Sequence, residues 1–161
     1  SVMFVGISDV VSKLGTTDIP EEMYLVHHFK RLWEDWDYFL RASPIKYVER
    51  NRTPTLILHG KDDPRVHPSQ SMELYRHLKT LGQAPVRLVF YPGEGHGNRR
   101  AASRFDYSMR LLRWMEHYLQ GPGGDPPDQR QQGGPLVRQL NQGGQLQRAC
   151  LVRTPGEHSF S

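Results

Sequence analysis

Two short apolar runs, each ending abruptly in a polar loop that contains glycine, organise residues 53–97 of this 161-residue chain. Proline or glycine bounds each run, and the stretch between them places apolar side chains three to four residues apart, as on one face of a helix. We therefore predict strands at 55–58 and 86–91 on either side of a helix at 69–81. This arrangement is a βαβ unit, which indicates an α/β fold with parallel strands.

The other elements are predicted from the same periodicities. They are a buried strand at 2–7, a polar connection at 8–20, an aromatic-rich helix at 21–36 that packs over the sheet, a short helix at 36–42 that ends before Ser43-Pro44, and a helix at 101–120. The sequence changes character after residue 120. Residues 121–161 are rich in Gly, Pro and Gln and contain one aromatic residue, so they predict a disordered tail behind a folded part at 1–120.

Composition and charge argue against several classes of protein. The net charge of +4 comes from 21 basic and 17 acidic residues that alternate along the chain, which is typical of a solvated surface and not of a nucleic-acid-binding patch. No apolar run is long enough to cross a membrane, and the first residues of the sequence lack the charged and apolar regions of a signal peptide. The single cysteine, Cys150, is compatible with a reducing compartment. We expect a cytoplasmic protein, although the chain begins without Met and its true N-terminus is expected to lie upstream.

Asp63 and His96 are the residues that point to chemistry. Asp63 follows the strand at 55–58 and His96 follows the strand at 86–91, so parallel pairing brings both to the same edge of the sheet. A carboxylate there can hold an imidazole in one tautomer, and a histidine between glycines can act as a general base. The order, acid before histidine after the last strands, is that of α/β-hydrolases.

Metal and cofactor sites are not indicated. The eight histidines show neither H-E-x-x-H nor H-x-H spacing, and there is no cysteine pair. The Gly-x-Gly around His96 lacks the further glycine and the lysine of a phosphate-binding loop. We therefore expect no metal and no cofactor.

Two motifs carry a family resemblance. The segment His59-Gly60-x-x-Asp63-x-x-Val66, followed by a helix and by a strand that ends in YPGEGHG, resembles the C-terminal end of the catalytic domain of prolyl oligopeptidase family serine peptidases. Within that family, the sequence most resembles the acylaminoacyl-peptidase and dipeptidyl-peptidase-like members. The resemblance covers residues 1–120 and includes LGTTDIPEE and SPIKYVER.

The resemblance implies a role for three residues. Asp63 corresponds to the acid of the catalytic triad and His96 to its base. Arg65 corresponds to a position that contacts the substrate backbone in some members. The implied function is a serine-type peptidase that hydrolyses peptide or acylaminoacyl bonds through an acyl-enzyme.

The chain departs from the family in its nucleophile. No serine lies in a G-x-S-x-G elbow, so the sequence offers no candidate nucleophile. The resemblance places the elbow, the oxyanion donors, the early strands and an N-terminal β-propeller before residue 1. We therefore expect the isolated chain to be an inactive C-terminal portion of an α/β-hydrolase domain, with an apolar sheet edge that pairs with the upstream segment or with a second copy.

Two other functions remain open from the sequence. The chain could be a non-catalytic remnant or interaction module whose exposed edge binds a partner. It could also be a carboxylesterase-like hydrolase, which would use the same Asp63 and His96. Turnover of peptide substrates and of ester substrates would separate the three.

Overall fold

A three-stranded parallel sheet forms the centre of the computed structural model, which describes residues 1–126. Its strands are β1 (Val2–Phe4), β2 (Thr55–Gly60) and β3 (Val86–Tyr91), in the spatial order β1-β2-β3. All six residues of β2 are buried, as expected for the middle strand of a sheet that is covered on both faces. The predicted α/β fold is therefore confirmed.

Helices follow the strands and cover the sheet. They are α1 (Val10–Thr16), α2 (Pro20–Glu22, continued by a π-helical turn at Met23–His28), α3 (Trp36–Ala42), α4 (Ser69–Leu81) and α5 (Ala101–Leu119), with 3₁₀ turns at Leu32–Glu34 and Pro44–Arg50. The bounds of α3, α4 and β3 agree with the sequence prediction. Gly82 ends α4 in the left-handed conformation, with φ 62°.

The alternation of side chains along β2 gives each face of the sheet its own helix. Leu56 and Leu58 point to one face, where they pack with Val89, Tyr91 and Trp114 of α5. Ile57 points to the other face, where a cluster with Leu88 and Phe90 packs against residues of α4. Because successive strand residues face opposite sides, β2 joins both halves of the core.

Residues 8–20 are not the plain connection that we predicted. They contain α1, which begins at the N-cap Asp9, whose carboxylate accepts a hydrogen bond from Val11 N. Val10 and Leu14 of this helix pack with Met23 and Phe39 in a small separate core. A helix of seven residues is too short to show a clear apolar period, and its stability comes from these contacts.

The predicted continuous helix at 21–36 is also wrong. It breaks at Phe29, which has φ 54°, a left-handed conformation that a residue with a bulky side chain rarely adopts. Its apolar side chains do not form the predicted cover over the sheet: Phe29 is 80% exposed, Leu25 68% and Trp33 64%. The segment turns these side chains to the surface, while Met23 alone of its apolar residues is buried.

The remaining predictions concern the ends of the described region. β1 pairs with β2 and forms one edge of the described sheet, but it is shorter than predicted. Most of the predicted disordered tail, residues 127–161, lies outside the described residues. Within residues 1–126, no helix combines the length and the apolar character that crossing a membrane requires.

The packing predicts that a buried leucine of β2 contributes more to stability than an exposed leucine of α5. Leu58 is fully buried, so Leu58→Ala should lower the free energy of unfolding by about 2–5 kcal/mol. The same change at Leu112 of α5, which is 51% exposed, should lower it by less than about 1 kcal/mol. Urea denaturation of the two variants measures both values, and equal losses would contradict the assignment of β2 to the core.

Candidate active site

Two loops at the carboxyl edge of the sheet form the candidate site. The acid loop, residues 61–68, follows β2, and the histidine loop, residues 92–100, follows β3. Backbone hydrogen bonds join the two loops: Lys61 N donates to Tyr91 O and Asp62 N donates to Glu94 O, each at 2.9 Å. The parallel pairing of the strands is thus extended into the loops that carry Asp63 and His96.

Gly60, the last residue of β2, makes the close approach of these loops possible. A Cβ at this position would lie 2.1 Å from the carbonyl oxygen of Gly95 and 2.5 Å from that of Glu94. Any side chain here would collide with backbone atoms, which cannot move aside without separating the loops. The glycine that follows His59 is therefore a requirement of the site.

The Asp63 side chain is fully buried and its two oxygens have different partners. Oδ1 accepts hydrogen bonds from Arg65 N at 2.9 Å and from Val66 N at 3.0 Å, which close the turn that Pro64 begins. Oδ2 lies 2.9 Å from Nδ1 of His96 and 3.2 Å from Nε2 of His59. The carboxylate is held by its own loop on one side and faces two imidazoles on the other.

His96 sits at the tip of a three-residue turn in which Gly97 N donates to Gly95 O at 2.8 Å. Gly97 has φ 119°, which favours glycine at this position and explains one of the two glycines that flank the histidine. Because Asp63 is a carboxylate, Nδ1 of His96 is the donor in their hydrogen bond. The imidazole is 41% exposed, so its other nitrogen, Nε2, is directed away from Asp63 and is available as a base.

Arg65 lies beside His96 in the wall of a cleft of about 520 Å³. The cleft is lined by Asp18, Pro64, Arg65, Gly93, Glu94, Gly95, His96, Arg99 and Arg100. Arg65 Nε donates to Asp18 Oδ1 at 2.7 Å, and this hydrogen bond lowers the pKa of Asp18. The structure therefore brings together the three residues that the sequence singled out.

Glu94 is a buried residue of the histidine loop that the sequence analysis missed. Its carboxylate accepts hydrogen bonds from Arg99 N at 2.8 Å and Arg100 N at 3.3 Å. Burial acts to raise the pKa of Glu94, but these bonds and one from Ser103 together hold its pKa below the usual value. Glu94 thus closes the histidine loop onto the start of α5.

Two further buried side chains, which the sequence analysis also missed, donate hydrogen bonds to backbone carbonyls of the acid loop. Lys13 of α1 is 2% exposed, and its Nζ donates to the carbonyl of Arg65 at 2.6 Å. His59 of β2 is fully buried and its Nε2 donates to the carbonyl of Val66 at 2.7 Å. An imidazole that directly follows a buried apolar run is a signal that could have identified His59, whereas nothing in the sequence marks Lys13.

The remaining histidines do not form a metal site in the described part of the chain. There, no group of three or more His, Cys, Asp or Glu side chains is arranged to hold a metal ion. His27 lies 3.2 Å from Glu22, and His28 lies 3.1 Å from the hydroxyl of Tyr38.

The close approach at Gly60 gives a test of how the site is assembled. Gly60→Ala should lower the free energy of unfolding by about 2–3 kcal/mol, because the added methyl group collides with the histidine loop. Gly15→Ala is the control, since a Cβ there meets no atom within 4 Å and alanine favours the helix. Chemical denaturation compares the two, and a Gly60→Ala variant as stable as the wild type would contradict the close approach.

The pKa of Glu94 predicts a pH dependence. Because its folded-state pKa is lowered, the ionised carboxylate stabilises the fold above the unfolded-state pKa, and this contribution is lost as the pH falls through the folded-state pKa. Glu94→Gln should therefore cost about 1–3 kcal/mol at neutral pH and progressively less in acid. Urea denaturation across this pH range measures the difference. The control Glu116→Gln changes an exposed side chain and should leave the free energy of unfolding within about 0.5 kcal/mol of the wild type. A cost at Glu94 that stays constant with pH would contradict the prediction.

Comparison with known proteins identifies relatives over the described region. A sequence model of the prolyl oligopeptidase family matches residues 2–122. The acylamino-acid-releasing enzyme of Rattus norvegicus is 33% identical over 120 residues, which cover 69% of this chain and 16% of that protein. The enzyme of the same name from Homo sapiens is 34% identical over 117 residues, with the same coverage of 69% and 16%. The chain therefore spans 16% of the length of these relatives.

Solved structures show the same architecture. A puromycin-hydrolyzing peptidase of Mycobacterium tuberculosis superposes with a TM-score of 0.68 at 27% identity, over 79% of this chain and 20% of that one. The acylaminoacyl peptidase of Pyrococcus horikoshii superposes with a TM-score of 0.70 at 20% identity, over 81% and 22% of the two chains, and at that identity the likeness concerns the fold.

Proposed function

The chain belongs to the prolyl oligopeptidase family, and on this premise we propose that it supplies the acid, Asp63, and the base, His96, of a serine-peptidase triad. The reaction would be the hydrolysis of peptide or acylaminoacyl bonds. The observation that carries the proposal is the 2.9 Å hydrogen bond between a fully buried carboxylate and a half-exposed imidazole. Both side chains stand at the carboxyl ends of neighbouring parallel strands, where α/β folds bind their ligands.

The geometry supports a defined direction of proton transfer. Nε2 of His96 would take the proton of a serine hydroxyl as that oxygen attacks the substrate carbonyl, and would then give the proton to the leaving amine. Asp63 would keep the ring in the Nδ1–H tautomer and stabilise the imidazolium that forms. Water would then hydrolyse the acyl-enzyme, with His96 again as the base.

The nucleophile would come from outside this chain, because residues 1–161 contain no G-x-S-x-G. The isolated chain should therefore show no turnover. The upstream catalytic segment, or a second copy of the chain, would cover the edge at β1. Turnover by the isolated chain would contradict this part of the proposal.

Arg65 is proposed as a substrate-binding residue. It shares the cleft with His96, and its pairing with Asp18 fixes the guanidinium at the cleft wall. A guanidinium fixed in this way can donate to a carbonyl of a bound peptide without first losing side-chain entropy. Asp18 would then be the group that orients Arg65.

Two alternatives use specific features of the chain. The exposed apolar side chains of Leu25, Phe29 and Trp33 favour an interaction module that binds a partner without catalysis. A carboxylesterase-like hydrolase would use the same Asp63 and His96 pair and would differ in preferring esters to amides.

Grafting tests the proposal directly. Residues 2–122 would replace the segment of the Mycobacterium tuberculosis puromycin-hydrolyzing peptidase on which this chain superposes, and the chimera would be assayed with puromycin, an aminoacyl nitroanilide and a p-nitrophenyl ester. An active chimera should lose at least about a thousandfold in kcat when Asp63→Asn or His96→Ala is introduced, because each change removes a member of the triad.

Matched controls come from the neighbouring residues of the same types. Asp62→Asn and His67→Ala change exposed side chains and should leave kcat within about threefold of the unmodified chimera. A folded chimera that is inactive, or that keeps its activity without Asp63 or His96, would count against the triad. Ester turnover without amide turnover would favour the carboxylesterase alternative.

A further inference from the structure

A fully buried imidazole stands directly behind the candidate pair. His59 is the fifth residue of β2, after Thr55, Leu56, Ile57 and Leu58, and it has no exposed surface. An imidazole buried at this depth is costly unless both of its nitrogens are hydrogen-bonded. Both are: Nδ1 lies 2.6 Å from Ser71 Oγ, and Nε2 lies 2.7 Å from the carbonyl oxygen of Val66.

These contacts fix the tautomer of His59. The Val66 carbonyl can only accept a hydrogen bond, so Nε2 carries a proton. Burial lowers the pKa of His59 and keeps the ring neutral, so Nδ1 carries none and accepts from the hydroxyl of Ser71. The Nε2–H group is therefore a fixed donor.

The same Nε2 lies 3.2 Å from Oδ2 of Asp63, the oxygen to which His96 donates at 2.9 Å. We propose that His59 is a positioning residue, whose Nε2–H is shared between the Val66 carbonyl and Oδ2 of Asp63 and holds that oxygen toward His96. The inference rests on the proposed function, because it concerns the same acid and base. His59 would touch neither substrate nor nucleophile.

The backbone of Val66 links the carboxylate of Asp63 to the imidazole of His59. Its N–H donates to Oδ1 of Asp63 and its carbonyl accepts from His59, so the carboxylate, the loop and the imidazole close a ring of contacts. Rotation of the carboxylate away from His96 would break the bonds at Oδ1 and leave Oδ2 without donors in a buried place. The contacts at Oδ1 fix the plane of the group, and His59 adds a second donor on the side of His96.

Two substitutions separate the donor from the rest of the ring. His59→Gln keeps an N–H near the position of Nε2 and loses the acceptor for Ser71. His59→Asn keeps a polar group near the position of Nδ1 and loses the donor to Val66 and Asp63. His59→Asn removes one methylene more than His59→Gln and should destabilise the fold more. A purely structural role of His59 predicts no change in the tautomer of His96 in either variant while it stays folded.

The measurement is the tautomer of neutral His96 in the 161-residue chain, obtained from long-range ¹H–¹⁵N correlation of its imidazole and assigned with His96→Ala. The wild type should be mainly Nδ1–H. His59→Asn should lower the ratio of Nδ1–H to Nε2–H by about tenfold, the effect of weakening one hydrogen bond to a carboxylate. His59→Gln should keep the wild-type ratio, while thermal unfolding shows both variants folded and His59→Asn the less stable of the two.

The outcomes distinguish this inference from the proposed function. A wild-type His96 that is mainly Nε2–H would contradict the Asp63–His96 pair itself, and the proposed function with it. A wild-type Nδ1–H tautomer that is unchanged in folded His59→Asn would overturn the role of His59 alone. Equal loss of that tautomer in His59→Asn and His59→Gln would also overturn it, since the retained donor would then have no effect.

Discussion

The carboxylate of Asp63 has no exposed surface, and a carboxylate buried in this way must be surrounded by hydrogen-bond donors. This requirement determines how the carboxyl edge of the sheet is built. The groups around the carboxylate are the amides of Arg65 and Val66 and the imidazole of His96, which donate hydrogen bonds, and the imidazole of His59, whose Nε2 lies 3.2 Å away. They come from β2, from the acid loop and from the histidine loop. The site exists because three separate pieces of chain converge on one acid.

That convergence depends on the parallel sheet. β2 and β3 run side by side in register, so the loops that follow them leave the sheet together, and the absence of a side chain at Gly60 lets their backbones meet. Opposite faces of the sheet are closed by α4 and α5, which fixes the strands that carry both loops. The imidazole of His96 is left partly exposed at the rim, while the acid behind it is buried. A general base with a supporting acid requires this arrangement, in which the base is exposed and the acid is buried.

The sequence was sufficient to predict the fold and the site in those places where local signals agree with the tertiary contacts. The β2–α4–β3 unit could be predicted because proline and glycine bound each run and the apolar periods are clear, and the position of Asp63 relative to His96 followed from the parallel connection. The break at Phe29 could not be predicted, because an aromatic residue in a left-handed conformation has no local signature. The role of Lys13 was hidden for a different reason, since its acceptor, the Arg65 carbonyl, is 52 residues away in the sequence.

The hydrogen bond between Asp63 and His96 is expected to form within this chain without a nucleophile beside it. A double-mutant cycle on the isolated chain measures that interaction, from the urea unfolding free energies of the wild type, Asp63→Asn, His96→Ala and the double variant. The coupling free energy between the two side chains should be about 1 kcal/mol or more, with Asp63→Asn costing less once His96 is absent. Additive effects, with a coupling below about 0.3 kcal/mol, would contradict it.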